Sequence, residues 1–190
     1  MAKQVKKQKK QPMGKESKIL LLVLLIVVAA VLGVRMWRSG SAEKNLAAIT
    51  AGLEAAIPAE GSTVTVNGYE CAALLEPIAL ESKLPVLQTY SNETLTVAPA
   101  IYAGTIGQPG LVIGGSNASS HFGQLTDLFY GDLVWITAVD GTMYEYEMDE
   151  LEIQKGDDPA GLDSHDWDLT LFYRHKTDEF IVAGFYRTEN

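Results

Sequence analysis

The residues after Gly61 restrict the fold most strongly, because they form a series of short β-like runs separated by turn residues. Seven or eight such runs follow one another, among them STVTVNGYECAALLE, KLPVLQTY, GLVIGG and EFIVAGFYR. The clearest hairpin is AVDGTMY, because Asp-Gly between two alternating runs favours a tight turn. Strands at this spacing predict a mainly β domain, a barrel or a sandwich, over residues 61–190.

A second segment, residues 19–34, runs 16 residues without a polar side chain. A membrane-spanning helix needs about 20 apolar residues, with a range of about 17 to 25. Lys18 and Arg35 can extend their charged ends to the interface and Trp37 suits the headgroup region, so residues 19–37 are predicted to form a transmembrane anchor. The alternative is a cleaved signal peptide, whose cleavage site needs small residues. The sequence VRMWRSGSA, with its arginines and tryptophan, favours the uncleaved anchor.

The basic residues that precede the apolar run predict its orientation. Residues 1–18 contain seven lysines and one acidic residue, Glu16, which indicates a cytoplasmic basic tail and a domain outside the cell. Residues 38–60 begin as a polar linker and continue with an Ala/Leu/Ile pattern typical of a short helix that ends at Pro58. We therefore expect a single-pass protein of the cell membrane with an extracellular β domain.

The outer part of the chain is strongly acidic. Residues 1–44 hold ten of the 15 basic and two of the 24 acidic residues, which leaves five bases against 22 acids in residues 45–190. A domain with this charge has no footprint for nucleic acid, so no nucleic-acid partner is expected. The lone Cys71 excludes an internal disulfide and a cysteine-rich zinc site, and its simplest role is that of a small buried hydrophobic residue.

The segment GGSNASSHFG, residues 114–123, has the composition of an active site, because three serines and a histidine follow an apolar run. A serine becomes a nucleophile only where a histidine accepts its proton and a third group orients that histidine. The pair to consider is Ser116 with His121. The loop has no G-x-S-x-G elbow, so a loop with polar side chains is the simpler interpretation.

The segment KGDDPAGLDSHDWD, residues 155–168, is the second candidate. Its calcium candidates are Asp157, Asp158 and Asp163. The ligand register of an EF-hand loop is missing, so a solvated acidic loop without a metal is the default expectation. Nothing in the sequence calls for a cofactor.

Three stretches together resemble a known family. LLEPIALESKLPV, GLVIGGSNASSHFGQLTDLFYGDLVWITAVDGTMYEYEM and DWDLTLFYRHKTDEFIVAGF, in that order, are similar to the sortases, which are membrane-anchored cysteine transpeptidases of Gram-positive bacteria. The resemblance covers residues 64–185 and is greatest to the clostridial, class-B-like branch. It implies a sortase-like eight-stranded β-barrel preceded by an N-terminal transmembrane helix.

The resemblance also implies where an active site would lie and that its catalytic groups are replaced. A sortase uses a cysteine thiolate as nucleophile, a histidine that protonates the leaving amine and an arginine that stabilises the oxyanion. In this chain Ser116 stands at the histidine position, Arg174 at the cysteine position, and Glu179 near the arginine position. A guanidinium has no lone pair for nucleophilic attack. We expect Arg174 to form an ion pair with Asp178 or Glu179.

The main functional expectation is a catalytically inactive sortase-family protein. It would bind an extended peptide or a surface protein in the former substrate groove, or assist the sorting of cell-surface proteins. The binding residues expected from the resemblance are Arg174, Tyr173 and Asn117.

Two alternatives keep an enzymatic function. The first is a transpeptidase or hydrolase that uses Ser116 with His121 or His175, which requires the paired side chains to lie within about 3 Å of one another. The second is a cysteine enzyme that uses Cys71, although Cys71 lies on a different predicted strand from the family's cysteine position.

Overall fold

The computed structural model describes residues 15–188, and the side chains of residues 23–29 and 40–188. In this part of the chain one helix, α1 (Lys15–Ala56), precedes nine strands. The strands are β1 (Val64–Val66), β2 (Tyr69–Pro77), β3 (Leu84–Leu87), β4 (Ala100–Ala103), β5 (Leu111–Gly115), β6 (Leu133–Ala138), β7 (Met143–Lys155), β8 (Leu169–Lys176) and β9 (Glu179–Arg187).

Eight of the strands close into a barrel. In the order β2-β3-β4-β5-β8-β9-β7-β6 each strand pairs with the next, and β6 pairs again with β2, from Ala73 opposite Ala138 to Pro77 opposite Val134. Strand β1 pairs with β2 beside this ring. Closure removes the unpaired edges that an open sheet leaves exposed. The predicted mainly β, eight-stranded barrel is therefore confirmed, and the sandwich is excluded.

The parallel pairing of β5 and β8 positions the candidate site. Leu111 lies opposite Leu169 at one end of this pair, and Gly115 lies opposite Tyr173 at the other. Because parallel strands run in the same direction, their carboxyl ends meet at one edge of the sheet. The next residues, Ser116 and Arg174, therefore leave the pair side by side.

The barrel interior is filled by apolar side chains from the inward-facing positions of the strands. Leu75, Ile113, Leu171 and Phe185 are fully buried there. The last turns of α1 join this core through Leu46, Ile49 and Leu53, which recur at spacings of three and four residues and so share one helical face. Burying each of these three side chains stabilises the domain by about 1.5 to 3 kcal/mol.

Residues 38–60 were predicted to form a linker and a short helix. In the structure α1 runs to Ala56, and the compact unit that contains the barrel begins at Ala42. The helix continues to Ala56 because its Ala-rich sequence favours a helix, and it ends before Pro58, which cannot continue a helix.

Among the residues that the structure describes, no helix is both long enough and apolar enough to cross a membrane. The predicted cytoplasmic tail, residues 1–18, lies mostly outside the described residues, and the predicted anchor, residues 19–37, lies within α1, with side chains described only for residues 23–29. Both remain predictions.

Candidate functional site

A cavity of about 540 Å³ opens at the carboxyl ends of β5 and β8. We call it the β5–β8 cavity. Two walls come from residues that the sequence had singled out, since Ser116, Asn117 and Arg174 all line it, and so do Asp157 and Asp158. The remaining lining residues are Tyr90, Asn92, Leu95, Tyr102, Gly115, Pro159 and Phe180. The fold thus gathers parts of both candidate segments around one opening.

Ser116 contacts His121 directly. The Ser116 Oγ lies 2.8 Å from the His121 Nδ1, which is the distance of a strong hydrogen bond. The loop is held in this shape by its own backbone, because the Phe122 N–H donates to the Ser116 carbonyl and the Gly123 N–H donates to the Ala118 carbonyl. The geometric requirement for a Ser116–His121 pair is therefore met.

Two contacts fix the Ser116 loop on the barrel. The Phe122 ring is 1% exposed and packs over Gly115, where an added Cβ would lie 2.4 Å from the ring. At Gly123 an added Cβ would lie 2.5 Å from the Asn117 carbonyl oxygen. Both glycines are needed because a neighbouring group occupies the space that any other side chain would take.

His121 is a buried, neutral histidine. Its side chain is 8% exposed, and burial lowers the pKa of the imidazole, while a backbone hydrogen bond to Val97 acts in the opposite direction. A neutral imidazole has one ring nitrogen that can accept a hydrogen bond, and the Ser116 hydroxyl lies within hydrogen-bond distance of Nδ1.

Arg174 lies exposed at the edge of the cavity and is held by backbone oxygens. Its Nη1 donates to the Thr177 carbonyl and its Nη2 to the Asp157 carbonyl, each at 2.7 Å. The guanidinium carbon lies 4.5 Å from the centre of the Phe180 ring, which adds a cation–π contact. The side chain is thus preorganised, with N–H donors left for a ligand.

The ion pair predicted between Arg174 and Asp178 or Glu179 is wrong. No ion pair that the structure shows within residues 40–188 includes Arg174, and Glu179 pairs instead with Lys176 at 2.7 Å. The residue opposite Arg174 in the β8–β9 pairing is Phe180, and Glu179 lies opposite Lys176 at the end of the hairpin. The register of the pairing shifts between Arg174 and Lys176, so these two residues do not share Glu179 as a partner.

Two further candidates lie away from the cavity. Tyr173, predicted to bind a ligand, is 3% exposed and belongs to the barrel core, where burial raises the pKa of its phenol, helped by the charge of Asp127. It faces inward because alternate residues of a strand share one face, and Leu169 and Leu171, at the same face of β8, belong to the same core. His175 is exposed and is not among the described lining residues of the cavity.

Cys71 is buried inside the barrel, and desolvation raises the pKa of its thiol to about 11. A thiol with that pKa stays protonated at neutral pH, whereas a nucleophilic cysteine must be a thiolate. Because Cys71 also does not contribute to the β5–β8 cavity, the structure gives no support to a cysteine enzyme.

The calcium candidates are not brought together. Asp157 and Asp158 line the cavity, and the Asp158 carboxylate accepts a hydrogen bond from the Ala160 N–H. Asp163 instead contacts His165 and the side chain of Gln154. Within the described part of the chain, no group of three or more His, Cys, Asp or Glu side chains is placed to hold a metal ion.

Sequence reasoning missed two tyrosines that line the cavity. Tyr90 and Tyr102 come from the β3–β4 region, with ring centres 5.0 Å apart, and both rings contact Phe172. The only available signal was a pair of tyrosines near turn residues, which does not indicate contact with Phe172 on the distant strand β8.

Of the comparisons with known proteins, the one with solved structures identifies the fold. No protein-family model matches the sequence. A comparison with curated proteins finds no similar sequence either. Among solved structures, sortase A from Corynebacterium diphtheriae superposes with a TM-score of 0.55 at 19% identity, over 64% of this chain and 62% of that protein. The chain therefore spans less than two thirds of the length of that sortase.

Two other solved structures give similar values. Sortase C-1 from Actinomyces oris superposes with a TM-score of 0.54 at 20% identity, over 63% of this chain and 75% of that protein. Sortase C1 from Streptococcus agalactiae superposes with a TM-score of 0.55 at 17% identity, over 66% of this chain and 72% of that protein. Identities this low establish the fold alone: the barrel has the fold of the sortases.

Proposed function

We propose that this chain is a sortase-family protein that binds an extended peptide in the β5–β8 cavity and does not use the cysteine chemistry of sortases. The observation that carries the proposal is Arg174, held by two carbonyl oxygens at the cavity edge where the resemblance places the family's cysteine. The chain's one cysteine, Cys71, is buried elsewhere. Both observations support the absence of a thiolate nucleophile at this cavity.

The lining of the cavity suits a peptide that bears a carboxylate. A guanidinium has five N–H donors, and Arg174 uses two for the carbonyls of Thr177 and Asp157. The others can form a paired hydrogen bond with a carboxylate. The side-chain amides of Asn92 and Asn117 can pair with peptide N–H and C=O groups, and the Phe180 side of the cavity offers an apolar surface.

Peptide binding is tested with the full chain purified in detergent micelles. Fluorescence anisotropy would be measured with extended peptides, each as a free acid and as its amide. We expect the free acids to bind more tightly, and Arg174→Met to weaken them about 10- to 100-fold, because hydrogen bonds to charged groups contribute about 1.5 to 3 kcal/mol. Lys83→Met is the matched control, since Lys83 pairs with Glu54 and Glu76 and does not line this cavity. Equal binding by Arg174→Met and wild type would contradict the proposal.

We also propose that residues 19–37 anchor the protein in the cell membrane, with the N-terminus cytoplasmic and the barrel extracellular. The apolar run and its basic flank support the anchor. The described side chains within it support it too, because all six residues of 23–28 are exposed, from 46% at Val28 to 61% at Leu24. An apolar surface all around a helix is typical of a lipid-facing helix.

Carbonate extraction of cell membranes tests the anchor, and external protease tests the orientation. We expect the chain to resist carbonate extraction and the barrel to be cleaved from intact cells. Release by carbonate would contradict the anchor, and protection from protease would contradict the orientation.

From the sequence resemblance we further propose that the protein belongs to the class-B-like branch and assists the sorting of surface proteins.

A further inference from the structure

We propose that Ser116 and His121 form a nucleophile–base pair that hydrolyses an acyl bond of the ligand held in the β5–β8 cavity. This inference rests on the proposed binding of a peptide there. It changes the role of that cavity from binding alone to acyl-group hydrolysis, with peptide or ester as the class of substrate.

The nucleophile and the base are already in hydrogen-bond contact. The Ser116 Oγ lies 2.8 Å from the His121 Nδ1, and Ser116 lines the cavity while His121 is buried behind it. An apo hydrolase often shows a longer distance than this. The serine is therefore accessible to a ligand, and the histidine is shielded from water.

A catalytic serine also needs a histidine whose ring is held in place. Here packing holds the ring, because His121 is 8% exposed and the next residue, Phe122, is 1% exposed and packs over Gly115. The loop backbone adds to this, because the His121 N–H donates to the Ala118 carbonyl and the Phe122 N–H donates to the Ser116 carbonyl.

A positive group lies on the same strand edge as the serine. Ser116 and Arg174 each follow one partner of the Gly115–Tyr173 pair, and both line the cavity. The negative charge that develops on the substrate oxygen during acyl transfer is stabilised by a donor that is already fixed in place. Arg174, held by two backbone carbonyls, provides such a donor without any need to reorganise.

The reaction balances with water as the only co-reactant. The Ser116 Oγ attacks the substrate carbonyl carbon while its proton passes to the His121 Nδ1. The bond to the leaving amine or alcohol breaks, and His121 returns the proton to that group. A water then attacks the acyl-serine, giving its proton to His121, and the acid product leaves as Ser116 regains its hydroxyl proton.

The test is covalent labelling of Ser116 by a fluorophosphonate probe on the full chain in detergent micelles, read by peptide mass spectrometry. We expect one label on Ser116, and turnover of p-nitrophenyl esters that Ser116→Ala abolishes. We expect His121→Gln to lower the labelling rate by about 100-fold or more, since a general base contributes about 10² to 10⁴ in rate. Ser119→Ala, in the same loop but exposed, is the matched control and keeps full labelling.

Peptide binding on the same preparations separates the two proposals. Binding without a label on Ser116 overturns the hydrolase and leaves the binding function. A label on Ser116 without peptide binding overturns the proposed peptide ligand and keeps the nucleophile. A label that is indifferent to His121→Gln, or that is spread equally over Ser116 and Ser119, overturns the pair. Ser116→Ala keeps the buried histidine. If this variant still binds the peptide, its loss of turnover is not caused by loss of the fold.

Discussion

The loop that follows β5, residues 116–123, and the loop between β7 and β8, residues 156–168, have similar polar compositions but opposite structures. In the first, His121 and Phe122 are 8% and 1% exposed, and Ser116 bonds to the buried histidine. In the second, Asp157, Asp163 and Asp166 are exposed and most bonds stay within the loop or reach its neighbouring strand. Burial of a polar group, and not the number of polar residues, distinguishes the candidate catalytic loop.

Each loop is nevertheless anchored by one buried aromatic ring over a glycine. Phe122 packs over Gly115, and Trp167 packs over Gly184, where an added Cβ would lie 2.0 Å from the indole. Trp167 also donates to the Asp149 carboxylate. Both loops are therefore fixed to the barrel by a buried aromatic ring. They differ in their polar residues, which are partly buried in the first loop and exposed in the second.

The largest expected effect comes from removing these anchors. Phe122→Ala and Trp167→Ala should each lower the free energy of unfolding by about 3 to 5 kcal/mol, because each empties a buried aromatic site. Denaturant unfolding measures this. Under native conditions Phe122→Ala should also slow the labelling of Ser116, whereas Trp167→Ala should not. The control is Phe129→Ala, at a side chain that is 73% exposed and should change stability by less than about 0.5 kcal/mol. Equal losses of labelling in both anchor variants would remove the contrast between the loops.

A matched pair of glycines gives the next effect. Gly123→Ala places a Cβ 2.5 Å from the Asn117 carbonyl oxygen, whereas Gly161→Ala in the other loop meets nothing within 4 Å. We expect Gly123→Ala to cost about 1 to 3 kcal/mol through overpacking. Gly161→Ala should be neutral within about 0.5 kcal/mol. Thermal unfolding of the two variants checks this. Similar melting temperatures would show that the Ser116 loop can shift to make room for the added Cβ at little cost in stability.

The buried histidine predicts a pH dependence of stability. Burial lowers the pKa of His121 in the folded chain below its usual 6.5, so the unfolded chain binds the proton first as the pH falls. The contribution of His121 to stability is therefore complete above about pH 6.5 and is lost as the pH falls toward its folded pKa. Unfolding free energies of wild type and His121→Gln between pH 8 and pH 5 should show a shallower decline in the variant. The matched control is His165→Gln in the exposed loop, and an equal change of slope in that variant would contradict the assignment.

The smallest effect concerns the exposed loop itself. Asp158 caps the short 3-10 helix Pro159–Gly161 by accepting from the Ala160 N–H, so Asp158→Ala should cost about 0.5 to 1 kcal/mol. The Asp157 carboxylate has no hydrogen bond among the described residues, so Asp157→Ala should lower the stability by less than Asp158→Ala. Differential scanning calorimetry with and without millimolar calcium completes this test. A rise in melting temperature on calcium addition that Asp158→Ala removes would show that this loop does hold a cation.

Much of the fold could be predicted, and the site only in part. The β-like runs indicated the strands because alternation and turn residues are local signals, and the resemblance indicated that Ser116 and Arg174 would lie together. The partners of these two residues could not be predicted. Arg174 binds the Asp157 carbonyl, 17 positions away, and the residue opposite it is Phe180 rather than Glu179. His121 is buried, although it stands in a polar loop sequence.

What the sequence by itself determined is the division into an apolar N-terminal segment and an acidic β domain, and the polar identity of the strand edge at Ser116 and Arg174. These follow from side-chain chemistry and from periodicities within a few residues. Only the tertiary structure decided that His121 is buried against Ser116 and that the two loops differ. The reason is that burial and ring orientation depend on which distant segments the closed barrel brings together, and no local pattern contains that information.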